Sequence, residues 1–360
     1  MMTAKMNSAR GAIPVAMGLV LTSGMALAED WADRIELGGF ASANFHVTDE
    51  AQSFNGPENV GYDKQGSFNG TRYALNIRSF VNDRLSFRAQ FFVAKEEDYV
   101  VHMDWFFGSL AVNDNLELRG GLIKFPVGLV NEYVDVGYSY LWLRAPAVIY
   151  SELGPPNGPQ LVREAYTGGS ILWNQSLGDW TLGADVFGGE VALEGATVRK
   201  SLGVTLRADW SDTVQFQFST YEGTMMGVEQ TDMANMMEGA KHRAILVGVK
   251  ADWNNVIFYA EKGDVSMGDM KAMKGSNWYA TLGYSLGDFT PHLTYQSLNQ
   301  GEGEDKQAIT TVGVRWDAMS NIAFKAEFSR IKTDAGVGLF QAGSPGSSVN
   351  MVGLGADLVF

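Results

Sequence analysis

From Arg34 to the C-terminus the sequence reads as a succession of strand-length segments in which every second side chain is apolar. Leu202, Val204, Leu206, Ala208 and Trp210, for example, alternate with Gly203, Thr205, Arg207 and Asp209. A period of two puts each set on its own face of a β-strand, one dry and one wet. Sixteen such segments begin near Arg34, Thr71, Arg84, Val100, Asn115, Ala165, Asp179, Val198, Thr213, His242, Asn255, Asn277, Asp288, Lys306, Asn321 and Val349. Seven connections are tight: Asn82-Asp83, Asn113-Asp114, Gly178-Asp179, Ser211-Asp212, Asn254-Asn255, Gly287-Asp288 and Ser320-Asn321. These residue types tolerate the backbone angles a hairpin demands. The other eight connections are longer and polar, and the two kinds alternate along the chain. An even strand count with all long loops at one end predicts an all-β fold. The expected form is a sixteen-stranded antiparallel transmembrane β-barrel with short periplasmic turns and long extracellular loops. About ten residues at ~3.3 Å each, tilted about 45°, span roughly 23 Å, close to the apolar band of such barrels.

Composition agrees. Mean hydropathy is only −0.08, because half of every strand faces water. No segment approaches the length of a membrane-spanning helix. The chain has no cysteine, which excludes disulfide scaffolds, thiolate metal sites and cysteine nucleophiles. The formal charge of −14 argues against a nucleic-acid partner, which needs a basic footprint. Aromatic residues cluster beside the tight turns: Trp180, Trp210, Trp253, Phe289, Trp316 and the terminal Phe360. That placement predicts a girdle at one membrane boundary. A weak hairpin repeat joins Gly203–Trp210, Gly248–Trp253 and Gly353–Leu358.

The N-terminus reads as an address. Lys5 and Arg10 precede the apolar run Gly11–Leu21, and Ala26-Leu27-Ala28 has the small residues of a cleavage site. Residues 1–28 are therefore expected to be a signal peptide and 29–360 the exported barrel domain.

The final strand, Val349 to Phe360, alternates Val352, Leu354, Ala356, Leu358 and Phe360 outward and ends in phenylalanine. With the sixteen-strand pattern, it resembles the Gram-negative outer-membrane porins over the whole mature chain. The segment Gly121-Leu122-Ile123-Lys124-Phe125-Pro126-Val127-Gly128 is similar to a strand end in phosphate-selective-type porins, whereas the Pro-Glu-Phe-Gly-Gly motif of general porins is absent. The resemblance implies a water-filled channel for passive diffusion of ions and small hydrophilic solutes in the bacterial outer membrane. It implies a homotrimer, contacts with the lipid bilayer and lipopolysaccharide, and recognition of Phe360 by the barrel-assembly machinery. It also implies a third loop folded into the barrel. The connection from Phe125 to Glu164 is the longest and carries Tyr133, Tyr138, Tyr140, Leu141, Trp142, Val148, Ile149 and Tyr150. So apolar a loop is expected to pack inside, aiming Glu132, Asp135 or Glu152 at the pore.

Alternation places Arg78, Arg88, Arg119, Arg207, Lys250, Arg315 and Lys325 on inward faces, each a few residues above its tight turn. They are expected to form a pore-lining basic ring. Asp209, Asp252, Asp317 and Glu327 lie two residues from four of them, so a bracing charge ladder is the competing reading. Arg78, Arg88 and Arg119 read as free of a same-strand acid, making them the expected selectivity element, opposite the acidic loop in a transverse field. On the outward faces Gly39, Ala41 and Ala43 meet Val352, Leu354 and Ala356, a smooth patch suited to a trimer contact.

His102, His242 and His292 fall on inward faces without metal-ligand spacing. Met225, Met226, Met233, Met236, Met237, Met267, Met270 and Met273 fall in two loops, and two of their groups have helical spacing. They are expected to form helical turns packed over the rim, with a thioether copper site as the sharper alternative. No catalytic residue, cofactor or metal is expected. The functional alternatives are an outer-membrane barrel enzyme of lipase or protease type, whose barrels are smaller, and a solute-selective uptake channel.

Overall fold

The computed structural model describes residues 34–360 apart from 57–60, 96–97, 151–160, 194–195, 229–236, 270–273 and 342–344. The expected signal peptide and Glu152 thus lie outside the described residues. Sixteen strands form one closed antiparallel barrel. They are β1 (Ile35–Thr48), β2 (Arg72–Phe80), β3 (Leu85–Ala94), β4 (His102–Asn113), β5 (Leu116–Lys124), β6 (Leu161–Leu177), β7 (Trp180–Leu193) and β8 (Ala196–Trp210), then β9 (Val214–Met226), β10 (Lys241–Trp253), β11 (Val256–Met267), β12 (Lys274–Tyr284), β13 (Phe289–Gln300), β14 (Asp305–Met319), β15 (Ile322–Ala335) and β16 (Ser348–Val359). Each strand pairs with its sequence neighbours, and β1 closes on β16 from Phe40↔Val359 to Thr48↔Met351. Closure leaves no open strand edge, as a strand-built membrane wall requires.

The tight turns have the conformations their residues permit. Ser211 and Asp212 have φ of 49° and 54°, and Asn254 and Asn255 have 48° and 68°. Two consecutive positive φ values match the twist of the flanking strands. At the other end one expectation needs correction. Only residues 194 and 195 separate β7 from β8, so this connection is as short as the turns, because both strands run past the rim.

The outward face is an apolar band that includes Ile171, Val186, Leu206, Ile245, Leu282, Leu293, Val312, Phe328 and Leu354, all exposed. At the tight-turn end Trp180 faces Trp210 across β7 and β8. Phe289 stacks on Trp316 at 5.8 Å, and Trp316 lies 5.5 Å from Phe324. Phe360 stacks on Tyr73 at 5.9 Å and exchanges backbone hydrogen bonds with Gly39. A Cβ on Gly39 would come within 2.6 Å of the Phe360 ring, so the glycine makes room for the terminal residue.

The hydrophobic cores lie inside the barrel. One gathers Leu129, Val130, Trp142 and Tyr150 from the third loop with Tyr259, Tyr279 and Ile309 from the wall. The wall is notched to receive them. A Cβ on Gly248 would approach Leu129 to 2.5 Å, and Cβ atoms on Gly353 and Gly355 would approach Leu143 to 2.6 and 2.5 Å. Here glycine serves close packing rather than turning.

Candidate functional site: the loop-narrowed lumen

The third loop, over its described residues 125–150, descends into the barrel and is held there by polar wall residues. Thr205 Oγ1 donates to the Pro126 carbonyl at 2.6 Å, and Gln217 Nε2 to that of Gly128 at 2.8 Å. Glu261 accepts from Leu129 N at 2.9 Å and also from the Tyr150 hydroxyl. Trp142 Nε1 donates to Thr281 Oγ1 at 2.9 Å and Thr294 Oγ1 at 3.0 Å. Glu327 accepts from Leu143 N at 2.9 Å. Tyr138 reaches the tight-turn end, where its hydroxyl donates to the Ser320 carbonyl at 2.7 Å. Nearly every buried backbone group of a loop must find a partner, and here side chains from β8 round to β15 supply them. Many inward residues of these strands are polar because they hydrogen-bond the loop.

The expected basic ring divides into two sets. Arg315 and Lys325 belong to the docked loop. Arg315 donates to the carbonyls of Tyr138 and Tyr140 at 2.5 and 2.9 Å. Lys325, its side chain fully buried, donates to those of Gly137 and Trp142 at 2.6 and 2.7 Å and pairs with Asp357 at 2.8 Å. Lys250 lies between the rings of Tyr133 and Tyr259, 5.6 and 5.5 Å from their centroids. These cations are loop ligands, so the single pore-lining ring is corrected. The charge ladder holds in part: Asp317 pairs with Arg315 at 2.7 Å, but Glu327 caps the loop instead of pairing with Lys325.

The loop acids also differ from the expected open placement. Glu132 pairs with Arg207 on β8. Asp135 sits between Arg72 at 2.6 Å and Lys124 at 2.7 Å. Burial alone would raise its pKa, but Lys124 and Arg72 outweigh burial and hold the carboxyl at about 2. Both acids are consumed as clamps and so do not confront the wall as bare charges. Arg72 shares β2's inward face with Arg78, so alternation could have found it. Lys124, in the strand-ending segment before Phe125, carried no signal of its own.

The second set is Arg78, Arg88 and Arg119. Arg78 and Arg88 are cross-strand partners, and the guanidiniums of Arg88 and Arg119 lie 5.9 and 5.5 Å from the Phe107 ring centroid. Arg119 has a same-strand acid after all, Glu117 at 2.6 Å, a residue overlooked two positions away. Arg78 pairs loosely with Glu36 on β1 at 3.4 Å. Arg88 has no acidic partner among the described residues.

The histidines are dispersed. His46, which also faces inward, stacks on Tyr62 at 4.3 Å, and His102 packs edge-on to Phe92 at 5.5 Å. His242 Nδ1 bonds the Tyr221 hydroxyl at 2.6 Å, and His292 Nε2 lies 3.7 Å from Glu327. Among the described residues no group of three or more His, Cys, Asp or Glu could hold a metal ion. Of the methionines with helical spacing, Met267 ends β11 rather than lying in a helical turn, and it packs with Met225 and Met237 in a second internal core. Met233, Met236, Met270 and Met273 lie outside the described residues.

No protein-family model and no curated protein sequence matches the chain. Solved structures do match by shape. An anion-selective porin from Comamonas acidovorans is 14% identical, covers 91% of this chain and 99% of its own, and gives a TM-score of 0.61. OmpF of Salmonella typhi, solved with daunomycin, is 13% identical, covers 91% and 97%, and gives 0.58. The trimer form of OmpT, an outer membrane protein of Vibrio cholerae, is 9% identical, covers 91% and 99%, and gives 0.56. At such identities likeness speaks to fold, and the fold is the sixteen-stranded barrel of Gram-negative outer-membrane porins.

Proposed function

We propose that the chain is a non-enzymatic outer-membrane porin that passes ions and small hydrophilic solutes by passive diffusion. The observation that carries this reading is the docking of the third loop's described residues, 125–150, against the wall. Their hydrogen bonds engage β8, β9, β11, β12, β13, β14 and β15, and Asp135 ties them to Arg72 on β2 and Lys124 on β5. The solute path then follows the remaining arc, past Arg78, Arg88 and Arg119. A cation cluster at a narrowing attracts anions and repels cations.

The apolar outer band and aromatic rim suit a bilayer. An outer-membrane address requires export, for which residues 1–28 read as the signal. Phe360, ordered at the barrel seam, is available as the assembly determinant. Ala43 faces Ala356 and Ala41 faces Leu358 across β1 and β16, a smooth surface on which a homotrimer can form. Acidic residues of the outer loops suit lipopolysaccharide contacts bridged by divalent cations.

Reversal potentials in asymmetric KCl test the channel and its selectivity together. The purified barrel should give discrete conductance steps in a planar bilayer. Replacing Arg78, Arg88 and Arg119 by Gln together should move the reversal potential toward cation preference. An absence of conductance would refute the channel, and an unmoved potential would refute the role of the three arginines.

A further inference from the structure

Toward the long-loop end the barrel encloses a cavity of about 200 Å³ between the third loop's helical turn, Ala147–Tyr150, and the wall. Its walls are Ile149 from that turn, Val191 and Val198 from β7 and β8, Ala244 and Leu246 from β10, and Val265 from β11. A diffusion path has no use for branched aliphatics on four inward strand faces. Core packing explains part of this lining, but a packed core leaves few voids larger than a water molecule. An apolar cavity of about 150 Å³ stays dry and takes up benzene, so this one has room for a six-membered ring and a short arm.

One end of the cavity is polar and rich in donors. Lys274, Gly275 and Asn277 of β12 and Gln300 of β13 line it. Asn277 Oδ1 accepts from the Asn299 amide at 3.0 Å, which leaves the Asn277 NH₂ group for the cavity. Asn277 Nδ2 and Gln300 Nε2 each lie 3.7 Å from where a Cβ on Gly275 would sit. The missing side chain therefore opens a space flanked by two amide donors. Gln300 is only 9% exposed, so its Nε2 is held beside this space by burial. Lys274 has only a long contact at 3.6 Å to Glu302 Oε1, both groups being nearly half exposed. Among the described residues, no carboxylate lines the cavity.

We propose that this cavity is a binding site for a small aromatic monocarboxylate. The ring lies among Ile149, Val198, Leu246 and Val265. The carboxylate accepts from the Asn277 and Gln300 amides and from Lys274. Binding does not depend on conduction, so the site stands or falls apart from the channel reading.

The test is isothermal titration of the folded full-length mature barrel in detergent, with phenylacetate as probe and 2-phenylethanol and acetate as controls. Phenylacetate should saturate at one per chain and bind at least tenfold tighter than either control. Ala244→Trp, which fills the cavity, should weaken it at least tenfold. Val265→Phe serves the same purpose if the first variant does not refold to a heat-modifiable barrel. Lys274→Gln should weaken phenylacetate at least fivefold and leave 2-phenylethanol unchanged. The proposal is overturned if phenylacetate fails to saturate, if acetate binds as well, or if a folded cavity-filling variant keeps wild-type affinity.

Discussion

Trp142 is the apolar anchor of the third loop, and Trp142→Ala should release the loop without dissolving the barrel. The residue is 2% exposed, and its ring lies 4.7 Å from that of Tyr259 and 5.7 Å from that of Tyr279. Truncating a tryptophan in a packed core costs about 3–5 kcal/mol. Losing the Nε1 bonds adds little, because Thr281 and Thr294 already bond each other at 2.8 Å and stay satisfied. The strand ladder makes no use of Trp142, so the cost falls on the docked loop. At about 1.4 kcal/mol per tenfold, the ratio of docked to undocked loop drops by roughly a hundred- to several-thousand-fold. Trypsin reports this directly, since Arg144 lies two residues on and is held under the rim with its guanidinium 2.7 Å from the Tyr62 hydroxyl. The wild-type barrel should resist cleavage at Arg144. The variant should be cut there while remaining heat-modifiable on a gel, and its single-channel conductance should rise. A folded variant with wild-type resistance and conductance would refute the account of how the loop is held.

Asp135→Asn removes the acid shared by Arg72 and Lys124, but Lys124 keeps Asp104 at 3.4 Å and Glu164 at 3.2 Å, so the cost falls below the about 3–5 kcal/mol of a buried pair left uncompensated; a lower melting temperature and larger conductance should result. Its pH dependence has a fixed sign. Lys124 and Arg72 hold the Asp135 carboxyl below its ordinary 3.8, so its stabilisation is present above that value and is lost in stronger acid. The melting gap between wild type and Asp135→Asn should therefore close in strong acid. Phe360→Ala should lower the yield of assembled barrel in outer-membrane fractions; equal yield would exclude it as the assembly determinant. Ala41→Trp with Ala356→Trp should convert a heat-modifiable oligomer on a gel into monomers, and an intact oligomer would place the subunit contact on other strands.

Strand number, pairing order and turn positions were legible because period-two alternation and turn chemistry are local. Ser211-Asp212 and Asn254-Asn255 announce their turns with no knowledge of the rest of the chain. The short β7–β8 connection was not legible, since strand length beyond the rim depends on neighbours. The inward face of each cation was readable by counting, but its partner was not. Lys325 and Arg88 look alike as alternating basic residues. One is fully buried under Gly137 and Trp142, and the other stands over Phe107. What separates them is the path of the third loop, fixed by long-range contacts such as Tyr138 to Ser320. The aliphatic inward residues near Ala244 likewise read as ordinary strand until four strands were set side by side.

The same path explains how a chain of net charge −14 offers a positive narrowing. Total charge governs solubility and distant fields, whereas a solute in a channel meets the few groups left unpaired on its route. Among its described residues the third loop brings two acids to the lumen, Glu132 and Asp135, enough to offset much of the arginine cluster if they stood free. Both are taken by clamps, Glu132 by Arg207 on β8 and Asp135 by Arg72 on β2 with Lys124 on β5. Glu36 and Glu117 compensate Arg78 and Arg119, and Arg88 is left over. Docking and selectivity are thus coupled, because an acid that pins the loop cannot also neutralise the wall. A release that also frees Glu132 and Asp135 from these clamps should therefore lower the anion preference proposed above as it raises conductance. Freeing the loop by shortening it on either side of an intact Asp135 clamp should raise conductance alone.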